Sequence, residues 1–269
     1  MAAALKQIMI LIMKKLFLPA LVGTLTLTLT ACCDKSEPQT AQASKPVSQE
    51  KPISVSEKKA NFWALMEPLV EQSNNEVLAE REIVKTLRLD VAELNEKQQS
   101  ELAKLSKKYR VDNKLVPAEQ IQQLLIKVDT VPASLVLAQA ANESAWGKSR
   151  FATEGNNYFG QWCFSKGCGL VPKSRNAGAN HEVAKFDSPL GSVRSYIRNL
   201  NSHPTYEKLR ELRSAALANG EFPSGELLAE GLIGYSERGE EYIKEIQSMI
   251  RFNKLSRFDQ PEETANNQG

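Results

Sequence analysis

Between Pro132 and Gly147 the chain carries a single charged side chain, the carboxylate of Glu143, set in the run Ala138–Gln139–Ala140–Ala141–Asn142–Glu143–Ser144–Ala145–Trp146–Gly147. Pro132 suits the first turn of a helix, and Val136, Ala140, Glu143 and Gly147 then fall at helical spacing on one face. The pattern predicts a packed helix whose inward face holds an acid near its end, with Trp146 three residues on and within reach. Desolvation disfavours the ionised form, so such a carboxyl stays protonated closer to neutral pH. That is the property required of an acid that protonates a leaving glycosidic oxygen. The plainer alternative is a Glu at the edge of the buried stripe, reaching solvent past the alanines.

The N-terminal segment bears on where such chemistry would take place. Residues 1–31 contain three lysines and no acid, and Leu16 to Ala31 is uncharged, which reads as a secretory leader, with Met13 a possible true start. Leu29 fits poorly at the position where ordinary signal peptidase wants a small residue. Leu29–Thr30–Ala31–Cys32 instead resembles the bacterial lipobox, which makes Cys32 the expected lipidated first residue and a membrane anchor. Conventional cleavage or a retained anchor is the alternative. The following residue is Cys33, not Asp, which favours the outer membrane of a Gram-negative cell. From Asp34 to about Lys59 the Ser-, Pro-, Gln- and Lys-rich sequence reads as a tether spanning on the order of 28 Å. Without the leader's lysines the chain is nearly neutral, so no basic stripe points to nucleic acid.

Cysteine and histidine exclude several chemistries. Beyond the anchor only Cys163 and Cys168 remain, and in an exported chain the pair is expected to close a short disulfide loop. A Cys163 nucleophile acting with His181 or His203 is the functional alternative, but Gln161–Trp162–Cys163–Phe164 does not read as the start of a helix. With two histidines in the whole chain and no spaced ligand cluster, a metal site is not expected, and no nucleotide or other cofactor motif occurs. His203, before Pro204, suits a helix junction, and His181 adjoins Glu182 as a solvent-facing strand residue or a tuner of that carboxylate.

Periodicity predicts a predominantly α-helical α+β fold. A helical preface covers 60–130, with faces at Phe62, Leu65 and Leu69 and at Leu102, Leu105 and Tyr109. Pro117 opens a helix carrying Ile121, Leu124 and Leu125. The domain proper is expected over 131–255. Within it, Asn156 to Phe186 reads as a small antiparallel hairpin lobe with strands at Phe159–Phe164 and Glu182–Phe186. Asp187–Ser188–Pro189 starts another helix, a stop falls at Asn219–Gly220, and Tyr242, Ile246, Met249 and Ile250 mark a last one before a polar tail at 256–269.

Leu137 to Gly147 followed by Asn157–Tyr158–Phe159–Gly160 resembles the endo-β-N-acetylglucosaminidases of glycoside hydrolase family 73, and within them the Bax-like proteins. The resemblance covers about Val131 to Ile250. It implies a lysozyme-like fold, peptidoglycan glycan strands as substrate, Glu143 as general acid, and a second carboxylate from the hairpin lobe, matched here by Glu182 in Asn180–His181–Glu182–Val183. The family's late Tyr–Ala–Thr–Asp–Pro–X–Tyr motif is matched only loosely by Gly234 to Tyr242, which has one extra residue and lacks Asp–Pro. Tyr235 is carried over as the functional tyrosine and Tyr242 is assigned to the helix core. Glu154 and Asp187 are reserve carboxylates, and Glu182 as a simple surface residue is the alternative to a role as base or electrostatic stabiliser. Trp146, Tyr158, Phe159 and Trp162 are candidates to stack on sugar, with Phe159 favoured as core. A lytic transglycosylase or a non-catalytic glycan-binding scaffold would share much of this pattern.

Overall fold

The computed structural model describes residues 53–173, 175 and 178–259. The expected leader, Cys32 and most of the tether lie outside the described residues, as does the tail from 260 onward.

Helix α1 (Val55–Leu89) begins inside the segment expected to be tether, because the Ser54 hydroxyl accepts from the Glu57 backbone N–H at 3.1 Å and caps it. Its buried face is Phe62, Trp63, Met66, Val70 and Val77, whereas the expected Leu65 is 45% exposed. The face is rotated relative to expectation because the large Trp63 and Met66 take the inward positions. Helix α2 (Glu96–Lys108) is opened by a reciprocal capping box between Asn95 and Gln98, and α3 (Pro117–Lys127) by Pro117. Leu102, Leu105, Tyr109, Ile121 and Leu124 are buried, and α1 packs on α3, α4 and α6, so these helices share one hydrophobic core with everything that follows.

Helix α4 (Ala133–Glu143) lies at the centre, with every side chain from Ser134 to Ala141 buried. It is apolar nearly all round, not merely along one face, which is the pattern of a helix enclosed by others. Pro132 offers no capping side chain. Asp259 supplies the cap from the far end of the chain, its carboxylate accepting from both the backbone N–H and the hydroxyl of Ser134 at 2.7 Å. The 3-10 turn Leu255–Phe258 carries it there, with Leu255 fully buried, so residues 256–259, expected to begin the polar tail, are part of the fold.

After α5 (Arg150–Gly155) come the short strands β1 (Trp162–Cys163), β2 (Gly169–Leu170) and β3 (Glu182–Ala184), an antiparallel sheet in the order β1-β3-β2. Trp162 pairs with Val183 and Leu170 with Val183 from the other side. The strands are shorter than the expected Phe159–Phe164 and Glu182–Phe186 because Asn157 diverts the backbone: its Oδ1 accepts from the N–H groups of Phe159 and Gln161. β2 carries no apolar alternation. Gly169 is there because a Cβ would run into the carbonyl of Val183.

Helices α6 (Pro189–Ser202), α7 (Glu207–Ala218), α8 (Gly225–Ala229) and α9 (Glu240–Phe252) complete the described chain, with α8 and α9 both on α4. Gly231 follows α8 in a 3-10 turn, and a Cβ on it would overlap the backbone N and Cα of Leu209 in α7. Backbone yields less readily than a side chain. Gly231→Ala is therefore expected to cost about 3 kcal/mol in urea unfolding; a loss under about 0.5 kcal/mol would mean that α7 and the turn can separate freely.

Candidate functional site

Glu143 is the last residue of α4, and the chain leaves the helix abruptly after it. Ala145, Trp146 and Gly147 adopt φ values of 50°, 59° and 75°, so Gly147 does not lie on the helical face that its spacing suggested. Two consecutive side-chain-bearing residues in the left-handed region cost roughly 1–2 kcal/mol each, which the local hydrogen bonding must offset. Ser144 supplies it: its hydroxyl donates to the Ala140 carbonyl at 2.6 Å and accepts from the Gly147 N–H at 2.7 Å. The turn sends Trp146 against α1, 4.9 Å from the Trp63 ring and 5.7 Å from that of Phe62, with the Lys59 ammonium 4.9 Å from its centroid. Glu143 remains half-buried at the end of α4.

The carboxylate is held from α9. The Tyr242 hydroxyl donates to Glu143 Oε1 at 2.7 Å and itself accepts from Gln139 Nε2 at 2.9 Å. The Gln139 carbonyl oxygen in turn accepts from the Tyr196 hydroxyl of α6. Gln139 and Glu143 are four residues apart and so share a face of α4. Each hydroxyl and amide in this series has a fixed direction, and all of them point toward Glu143. Burial pushes the Glu143 carboxyl above the ordinary Glu range, and the Tyr242 hydrogen bond pulls the other way without cancelling it. Tyr242 is driven far upward by burial and by neighbouring Tyr235 and Glu143, so it stays a neutral donor.

Tyr235 stands beside this series. It stacks on Tyr242 with ring centroids 5.3 Å apart, and its hydroxyl donates to the Phe159 carbonyl at 2.9 Å. The tyrosine hydrogen-bonded to Glu143 is thus Tyr242, the residue the sequence assigned to the core. Phe159 is 2% exposed and stacked on Tyr196 at 4.0 Å, so its role is to fill the core and not to meet a sugar; Tyr158 is likewise buried beside Phe62. Trp162 is 60% exposed, stacked on His181 at 4.4 Å. Asn157, from the Asn–Tyr–Phe–Gly motif, knits this loop to β3 by donating to the Gln161 and Ala184 carbonyls.

In the β lobe, Cys163 and Cys168 form a disulfide with Cα atoms 6.2 Å apart. Glu182 comes within 4.8 Å of both sulfurs, but their bond to one another leaves no thiolate for a metal. Its two oxygens accept instead from the backbone N–H groups of Gly167, at 3.0 Å, and Gly169, at 2.8 Å. Those bonds hold its carboxyl below the ordinary Glu range. The side chain is covered by its own loop and not sunk in the core, and among the described residues no hydrogen bond connects it to the Glu143 series. The reserve carboxylates Glu154 and Asp187 are both exposed. His203 ends α6, its Nδ1 accepting from the Thr205 N–H.

Gln139, Tyr196 and Tyr242 were not singled out from sequence as site residues. Gln139 carried a readable signal, being an uncharged polar residue in an otherwise apolar helix and one turn before the acid.

Set beside known proteins, a glucosaminidase family model described as mannosyl-glycoprotein endo-beta-N-acetylglucosaminidase matches residues 118–255. Protein bax of Escherichia coli (strain K12) is 28% identical over 216 residues, covering 79% of this chain and 75% of its own. A match of that length cannot be accommodated from residue 118 onward and takes in much of α1–α3. The crystal structure of the catalytic domain of the autolysin Auto from Listeria monocytogenes is 19% identical, covering 70% of this chain and 97% of its own at a TM-score of 0.37. The chain belongs to the glucosaminidase family and is a glycosidase, with a predominantly helical α+β fold that carries one small antiparallel sheet.

Proposed function

We propose that this glycosidase cleaves the β-1,4 bond after N-acetylglucosamine in peptidoglycan, with Glu143 as its general acid. The observation that carries the reading is a half-buried carboxyl, raised in pKa by its surroundings, with one oxygen fixed by Tyr242. Because Oε1 accepts from Tyr242, the transferable proton sits on Oε2. Glu143 delivers that proton to the leaving oxygen while positive charge develops on the sugar ring. Glu182, ionised and anchored by two N–H groups, acts as electrostatic stabiliser or as base through water, and the substrate's own 2-acetamido group is the competing internal nucleophile. The exposed Trp162 stacks on sugar at the edge of the lobe.

The lysine-bearing leader with its uncharged run Leu16 to Ala31, and Leu29–Thr30–Ala31–Cys32, support export and anchoring through lipidated Cys32, with the outer membrane favoured, which would hold the enzyme close to an immobile polymer. The test is to digest isolated peptidoglycan with the protein and identify the sugar at each new reducing end. N-acetylglucosamine ends support the reading. Anhydro-muramic ends would make it a transglycosylase, and binding without products would make it a scaffold.

Tyr242→Phe provides a test of the proton placement. Removing a donor that favours the ionised carboxylate raises the Glu143 pKa further, so the alkaline limb of the pH–rate profile is expected to move to higher pH. The plateau rate should fall by about tenfold because Oε1 is no longer held. A limb that moves to lower pH would contradict the placement.

A further inference from the structure

A concavity of about 340 Å³ lies where α2, α6 and the β lobe meet. Lys107, Lys108 and Arg110 line it from the end of α2, Arg198 from α6, and Trp162 from the lobe. Lys108 is paired with Glu80 at 2.5 Å, but among the described residues Lys107, Arg110 and Arg198 have no carboxylate within ion-pair distance and are exposed. Three uncompensated cations around one hollow focus a positive potential into it. Lys127 and His203 nearby are held below their ordinary pKa chiefly by burial, with Arg110 and the buried Arg210 adding to it.

The hollow is built for more than charge. Ser195 and Asn199 also line it, offering a hydroxyl and an amide suited to recognising peptide groups as well as carboxylates, while the Gln161 amide is held by the Ser192 carbonyl. Arg110 adopts a φ of 54° after the α2 cap, where a glycine would be less strained, and so holds a guanidinium at the pocket at a local conformational cost. Gln161 and Trp162 continue directly from the Asn157–Gly160 segment whose Phe159 carbonyl is held by Tyr235, so pocket and acid site share one loop. Three of the four cations precede residue 118, outside the stretch shared with the family model.

We propose that this pocket binds the free carboxylates of the peptide substituents carried by the glycan strand, so that the end of α2 makes the enzyme select peptide-bearing polymer. The proposal rests on the peptidoglycan reading. A concave site with directional hydrogen-bonding groups favours a peptide over an anionic membrane surface, which a flat array of lysines would serve as well.

The test uses the full chain and an Arg110→Ala/Arg198→Ala variant, both acting on peptidoglycan with its peptides and on the same glycan after amidase removal of those peptides. New reducing ends report the rates. The parent is expected to show a KM about tenfold lower on the peptide-bearing polymer, and the variant to lose that preference with kcat and KM on stripped glycan unchanged. Both altered residues are exposed, so an unchanged melting temperature serves as the folding control. Equal KM for the two polymers in the parent, or a variant weakened equally on both, would overturn the pocket assignment while leaving the peptidoglycan reading intact. So would a variant that keeps the preference and loses only binding to vesicles containing anionic phospholipid. Failure of the parent to cleave either polymer would instead sink the peptidoglycan reading, and this proposal with it.

Discussion

Glu143→Gln is expected to lower kcat on peptidoglycan by about 10³-fold, the range for losing a positioned general acid, with KM little changed. The amide oxygen can still accept from Tyr242, so the α4–α9 contact survives and the loss falls on chemistry alone. The same substitution should stabilise the protein at alkaline pH. The folded-state pKa of Glu143 lies above its unfolded value because burial disfavours the charge. Below the unfolded pKa both states are protonated and the carboxyl carries no penalty. As pH rises through the folded pKa the unfolded chain holds its charge in water while the native one must ionise within its packed site, and stability is lost. Relative to the parent, the variant should therefore melt higher at pH 8 than at pH 4. A variant that retains a tenth or more of the parent's kcat would exclude Glu143 as the acid.

Arg213→Met is expected to be the most damaging change away from the site, costing about 3–5 kcal/mol in chemical unfolding. Arg213 is 1% exposed and makes a bond of 2.7 Å to Asn201 Oδ1 and others of 2.9 Å and 3.0 Å to the carbonyls of Thr130 and Ile126, with longer ones to Lys127 and Asp129. Arg81 feeds the neighbouring carbonyls of Leu125 and Val128. Together the two guanidinium groups satisfy the Leu125 and Ile126 carbonyls in the last turn of α3. Burial lowers the Arg213 pKa to about 10, still well above neutrality, so it remains a cation where the helix dipole favours one. The methionine fills similar volume but leaves the Ile126 and Thr130 carbonyls without their guanidinium donor, while Lys127 and Asp129 keep donors from the Asp129 N–H and the Asn201 amide. The segment it secures, Val128 to Pro132, leads directly into the helix that ends at Glu143. A loss below about 1 kcal/mol would show that water replaces the guanidinium, and Arg213→Lys should recover only part because an ammonium cannot span five acceptors.

Much of this architecture could be read from local sequence because the physics that sets it is local. Pro117 and Ser188–Pro189 open helices at the positions where proline and a capping hydroxyl favour them, Pro132 falls one position earlier than the expected first turn, at the N-cap of α4, and Asn219 ends a helix. The α1 face was misread by one position, since Leu65 and Trp63 both fit an apolar stripe and only the packing against Trp146 selects between them. The lobe was visible as a change in composition, but β2 was not, because Gly169 is dictated by the approach of the Val183 carbonyl and not by any period. At the site, Glu143 stood out as a lone acid among alanines. Tyr242 did not, because its spacing with Ile246 and Ile250 gives a core position, and its second function depends on α9 meeting α4 across 99 residues. Glu182 was visible as a carboxylate, but not that the Gly167 and Gly169 N–H groups would take both its oxygens, which requires the loop around Cys163–Cys168 to be closed.

Glu143 is expected to hold its proton nearer to neutral pH than an ordinary glutamic acid. Carbon-13 NMR titration of the glutamate side-chain carboxyls, with Glu143→Gln used to assign the resonance, measures this directly. Glu143 should titrate above the ordinary Glu range, and higher still in Tyr242→Phe. A titration at or below the ordinary range in the parent would contradict it.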